Sequence, residues 1–117
     1  MADVKSFTEE TLLSLGATPA NKGFRYVVKA MELFEKDKEM QYHRTMLYTF
    51  IANEYDETWT RVERCIRHIV NGVMKAIGSS ECKEFFSLRD GEKLTNGRFL
   101  NTLFLKYEQT KRGACEQ

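Results

Sequence analysis

Apolar residues recur at helical spacing in several blocks along the chain, and the block Thr58–Val73 divides most cleanly into two faces. At about 100° per residue, Val62, Cys65, Ile66, Ile69, Val70 and Val73 fall on one side, and Trp59 joins them. Thr60, Arg61, Glu63, Arg64, Arg67, His68 and Asn71 hold the other side with no apolar intruder. This division predicts an amphipathic helix, with the hydroxyl of Thr58 as its N-cap. Leu47–Tyr55 reads as a shorter helix before it, joined through the tight polar connection Asp56-Glu57-Thr58. Ala52 offers the small residue that two crossing helices need, and Ile51, Tyr55, Val62 and Cys65 recur around it. Leu47–Val73 therefore predicts a helix-turn-helix.

The same reading extends to both ends. Met1–Phe7 reads as a loose lead-in, after which Thr8 caps a helix with Leu12, Leu13 and Leu15 on its apolar side and Gly16 as its stop. A second helix is expected from Asn21 or Lys22 to Phe34, burying Phe24, Val27, Met31 and Phe34. The charge run Glu35–Glu39 reads as a solvated turn. The third helix, from Tyr42 or Arg44 to Tyr55, should bury Leu47, Phe50 and Ile51, and Arg44 near its start can either reach a phosphate or simply lie on the surface, the latter being favoured. Beyond the central helix, Gly78-Ser79-Ser80 predicts a turn and Glu81–Leu88 a short helix. A polar loop over Arg89–Leu94 leads to a last helix capped by Thr95 or Asn96. That helix runs to about Lys111, with Phe99, Leu100, Leu103, Phe104 and Tyr107 as its stripe, and Gly113–Gln117 as a loose end. The sum is an all-α bundle of about six helices in a single domain over residues 1–117.

Composition supports this picture and narrows the function. With 42% hydrophobic and 12% aromatic residues, the chain can bury a core without disulfide or metal staples. One proline and seven glycines argue against a loop-rich β-sandwich. No apolar run approaches the roughly 20 residues that span a bilayer, and the N-terminus lacks a secretory h-region, so a cytoplasmic protein without membrane contact is expected. Cys65, Cys82 and Cys115 fit neither a disulfide framework nor a zinc pattern. Cys65-x-x-His68 is split by helical phase, Cys65 falling on the apolar side and His68 on the polar one. No phosphate loop, metalloprotease motif or nucleophile elbow is present, so neither an enzyme nor a cofactor is expected.

The chemistry of interest is the polar face of the central helix. Net charge over the chain is only +1, whereas Arg61–His68 carries three arginines against one glutamate. Arginine offers a planar fork to guanine O6 and N7, and glutamate accepts from cytosine N4. Arg61-x-Glu63-Arg64 at the start of a groove-facing helix thus suits a G·C-containing step. Two other readings stay open: a solvated face in which Glu63 and Arg67 pair, and a protein-docking face.

At these residues the chain resembles a known family. RVERCIRHI (Arg61–Ile69), preceded by Leu47-Tyr48 and Ile51-Ala52, is similar to the recognition region of the stage zero sporulation protein A response regulators. The likeness continues upstream through Leu15-Gly16, Lys22-Gly23, Tyr26 and Ala30, and downstream through Lys93, Thr95-Asn96 and Phe99. It covers that family's C-terminal DNA-binding effector domain and not its receiver, so DNA binding is expected to be independent of aspartate phosphorylation. The resemblance implies a transcription regulator that binds double-stranded DNA at short boxes in tandem copies, a monomer in solution and a tandem dimer on DNA. It implies base contacts from Arg61, Glu63 and Arg64, and weaker backbone contacts from Thr60, Arg67 and His68. Trp59 replaces the small residue the family tends to have there. RNA polymerase sigma factor is a further partner implied by the family, although Gly72–Leu88, the corresponding segment, matches poorly. The competing reading is a receiver-less interaction protein that docks on a full-length regulator or another partner without reading DNA.

Overall fold

The computed structural model describes residues 3–116, with side chains described through Arg112. The order of elements is α1 (Val4–Ser14), α2 (Lys22–Lys36), a 3-10 turn (Lys38–Tyr42), α3 (Arg44–Glu54), α4 (Trp59–Phe86) and α5 (Asn96–Glu116). The fold is all-α, as the periodicity requires. Five α-helices stand where about six were expected, because the short helix after Gly78 is the second limb of α4. Gly78 has φ 84° and ψ 164° inside that helix. A backbone of this kind is not helical and favours glycine, so α4 is two helical limbs joined at a kink where the turn was expected.

α1 begins earlier than Thr8. Asp3 caps it, its Oδ1 accepting from the Ser6 amide at 2.7 Å, and this bond holds the Asp3 carboxyl below its usual range. Val4, Thr8 and Leu12 form the buried stripe, so Thr8 lies inside the helix and donates its hydroxyl to the Val4 carbonyl. Leu13 is exposed instead of buried. Gly16 does end the helix, at φ +89°, and a Cβ there would lie 2.6 Å from the Ala76 Cβ. At the other end α5 continues through Glu116, past the point where a loose end was expected; Met1, Ala2 and Gln117 lie outside the described residues.

α2 runs through the core with Phe24, Val27, Met31 and Phe34 buried, as their spacing predicts. It packs on α1, α4 and α5. The charge run after it is more than a solvated turn. Glu35 accepts from the Tyr107 hydroxyl of α5, Lys38 pairs with Glu108 at 2.7 Å, and Asp37 caps the 3-10 turn through the Glu39 amide. Burial, and then the Glu35 carboxylate, push the Tyr107 phenol up to about 12.

α3 buries Leu47, Tyr48, Ile51 and Ala52, while Phe50 is half exposed, contrary to expectation. Met46 is likewise half exposed, so the two share a face that no other described element covers.

Candidate nucleic-acid interface

The polar face of α4 is positioned from below by three kinds of contact. The first is apolar burial: Val62, Ile66, Ile69, Val70 and Val73 are all buried, which fixes the rotation of the helix about its axis. The second is a close approach of backbones. A Cβ on Gly23 would lie 2.2 Å from the Cys65 carbonyl oxygen and 2.6 Å from Ile69 Cγ1, so only glycine lets α2 sit this near to α4. The third is the connection from α3. Asp56 adopts φ 53°, a left-handed conformation that aspartate tolerates better than most residues, and the Glu57 amide donates to the Ala52 carbonyl at 2.8 Å. Thr58 then caps α4, its hydroxyl accepting from the Arg61 amide at 3.2 Å.

Glu57 is a hub in this connection. It is largely buried and accepts from the Tyr26 hydroxyl at 3.3 Å, while Lys22 lies 3.5 Å and Arg61 Nε 3.6 Å from the same carboxylate oxygen. The Tyr26 phenol is pushed up by its burial first and by this carboxylate second. One carboxylate thus ties the start of α2 to the start of α4.

Above this base, Thr60, Arg61, Arg64, Arg67 and His68 are all exposed on the outer face. Glu63 is partly buried and forms an ion pair with Arg67 one turn on. The helix therefore does present the six residues together, but not in equal states. Arg61 and Arg67 are ion-paired, whereas Arg64 has no ion pair among the described residues. Of the two places open to it, Trp59 takes the second, a partly exposed indole, and not the packing toward Ile66 and Val70 that its phase favours. Its register matches that of Ile66, yet the first turn of α4 lies at the edge of the core, and the indole is 50% exposed. It lines a cleft with Glu63 and Arg67.

That cleft brings in residues that periodicity did not single out for a site. Its far wall is made by Arg44 of α3 and by Lys93 and Thr95, which precede α5. At its floor, the buried Asn96 side-chain amide donates to the Glu63 carbonyl at 3.1 Å and faces the Tyr48 hydroxyl at 3.3 Å. This one amide links α5 to α4 at Glu63 and to α3. Burial pushes the Tyr48 phenol up. Thr95 caps α5 by accepting from the Arg98 amide at 3.1 Å. Arg98 in turn reaches back over the end of α4, donating to Glu92 at 2.8 Å and to the Phe86 and Ser87 carbonyls at 3.4 Å. Arg44 stood in the sequence as the start of a helix and Lys93 as part of the family likeness, but no local signal joins two residues so far apart in the chain.

A domain model described as Sporulation initiation factor Spo0A C terminal matches residues 8–107. The chain belongs to this family. A comparison with curated proteins found no match. The Spo0A C-terminal match takes in α4, the cleft and every residue named above as part of either. Among the described residues, no helix is long and apolar enough to cross a membrane.

Proposed function

We propose that this chain is a sequence-specific double-stranded DNA-binding transcription regulator, reading the major groove with the first limb of α4. One observation carries the reading. In a member of the Spo0A C-terminal family, a capped helix with Val62, Ile66, Ile69, Val70 and Val73 buried behind it follows a tight connection and carries Arg61, Glu63 and Arg64 on its other side. In this arrangement Arg61, Glu63 and Arg64 contact bases, and Thr60, Arg67 and His68 hold the backbone. The protein acts in the cytoplasm as one domain without a catalytic step. It is a monomer that pairs on tandem boxes, and sigma factor is its further partner.

The test is titration of Arg61→Ala and Arg64→Ala against the family's box and single-base variants of it. Each substitution should cost about 1–3 kcal/mol on the preferred duplex and relax discrimination at one guanine. If both variants bind every duplex as the parent does, this face reads no bases. A second reading then takes over, docking on a full-length regulator, and one observation favours it: Tyr42, Met46 and Phe50 leave an exposed apolar row on and just before α3.

A further inference from the structure

We infer that Arg44 and Lys93 form a phosphate seat that grips the DNA backbone across the cleft from the reading helix. This rests on the DNA-binding reading above and extends the contact surface to two further elements, α3 and the loop before α5.

Two clefts flank these residues, one shared with Glu63 and Arg67, the other with Glu92 and Arg98; Arg44 and Lys93 line both. They form the ridge between the clefts. Arg44 opens α3, and its side chain lies along Gly97 in the first turn of α5, where a Cβ would meet its Nη1 at 2.6 Å. The guanidinium is thus held near the N-terminal ends of two helices. Both ends carry partial positive charge, which disfavours a cation and favours an anion.

Among the described residues neither Arg44 nor Lys93 has an ion pair or a side-chain hydrogen bond. The two carboxylates that line the clefts are already engaged: Glu63 is paired with Arg67, and Glu92 accepts from the Arg89 amide and from Arg98. Glu92 is held below its usual range, first by that amide. Two cations with unused donors therefore stand beside the reading helix. A guanidinium fork and an ammonium together suit a phosphodiester, which accepts from several donors at once. Because phosphate contacts carry no sequence information, the seat fixes register and leaves the choice of box to α4.

The test measures binding of Arg44→Ala, Lys93→Ala and Arg44→Lys to a matched and a scrambled duplex over a range of salt concentrations. Methylphosphonate is then substituted for one backbone phosphate at a time. Each alanine variant should lose the same factor of affinity on both duplexes, and the slope of log K against log salt should flatten by about one unit per residue. Arg44→Lys should keep the slope. Neutralising one particular phosphate should weaken the parent and leave Arg44→Ala unaffected. Melting temperature serves as the folding control, and both side chains are exposed enough for it to change little. An unchanged slope overturns the seat, and so does a loss that appears on one base variant only. If the parent binds neither duplex, the DNA-binding reading itself fails; if the parent binds and Arg61→Ala relaxes discrimination while Arg44→Ala does nothing, only the seat fails.

Discussion

The two faces of α4 are held by opposite kinds of force. The inner face is a matter of volume: Ile66 and Val62 are fully buried, and Gly23 of α2 lies against the Cys65 carbonyl with no room for a methyl group. The outer face is a matter of charge at the water boundary, where the exposed side chains of Arg61 and Arg67 pair with the more sheltered Glu57 and Glu63. Packing of the first kind resists change of even one methylene. Exposed ion pairs contribute a few tenths of a kcal/mol and exchange readily. The contrast teaches how one helix can be both rigid in place and free in its contacts: its position is set from behind, and its front can trade an internal partner for a base or a phosphate.

Substitutions on the inner face should test that contrast most strongly. Ile66→Ala removes a fully buried side chain and should cost about 2–5 kcal/mol, read by urea or thermal unfolding. At saturating stability conditions its folded fraction should keep the base preference of the parent. A variant as stable as the parent would mean that the inner face does not set the helix.

The next effect concerns close approach. Gly23→Ala places a methyl group on the Cys65 backbone and should destabilise by about 1–3 kcal/mol through overpacking, despite alanine's better helix propensity. Ala52→Leu is its counterpart at α3, where Ala52 is buried in the helix that packs on α4, with the same expected range. If Ala52→Leu is neutral and Gly23→Ala is not, the critical small residue of the motif is in α2.

Asn96 belongs to both faces, because it is buried yet bonds the backbone at Glu63. Asn96→Ala should cost about 1–2 kcal/mol by leaving the Tyr48 hydroxyl with one partner fewer in a buried site. Differential melting of Asn96→Ala alone and in a Tyr48→Phe background measures it. If the two losses are fully additive, the amide and the phenol do not act together.

What the sequence revealed divides along the same line. The inner stripe of α4 from Val62 to Val73, the Thr58 cap, the Gly16 stop and the break at Gly78 are all legible, since each depends on residues within a few positions, whereas Trp59 shares the phase of that stripe and is half exposed. Phe50 and Leu13 were assigned to the core and proved exposed, because α1 and α3 carry apolar side chains on more than one face and periodicity alone cannot choose between them. Asp3 and Thr8 are both good capping residues, and the structure uses Asp3, while Thr8 continues the buried stripe from Val4. Contacts across the chain were the least legible. The Glu35 and Tyr107 bond, the Gly23 approach to Cys65 and the nearness of Arg44 to Gly97 each join residues more than forty positions apart, where no spacing rule operates.

The smallest expected effect is also the one that separates the faces most sharply. The Glu63 and Arg67 pair is an i, i+4 pair with Arg67 well exposed, and such pairs contribute about 0.3–0.5 kcal/mol. Arg67→Ala should therefore change unfolding free energy by less than about 0.5 kcal/mol. On DNA the same substitution should act twice. It removes a backbone cation, which flattens the salt slope by about one unit on every duplex, and it frees the Glu63 carboxylate, which sharpens the penalty for a box lacking the cytosine that Glu63 accepts from. Glu63→Gln should be equally silent in stability and should blunt that same discrimination. Stability measured beside binding at two salt concentrations distinguishes the cases. A loss of more than 1 kcal/mol in unfolding for either variant would place the pair with the packing of the inner face, and the front of α4 would then not be free to exchange partners.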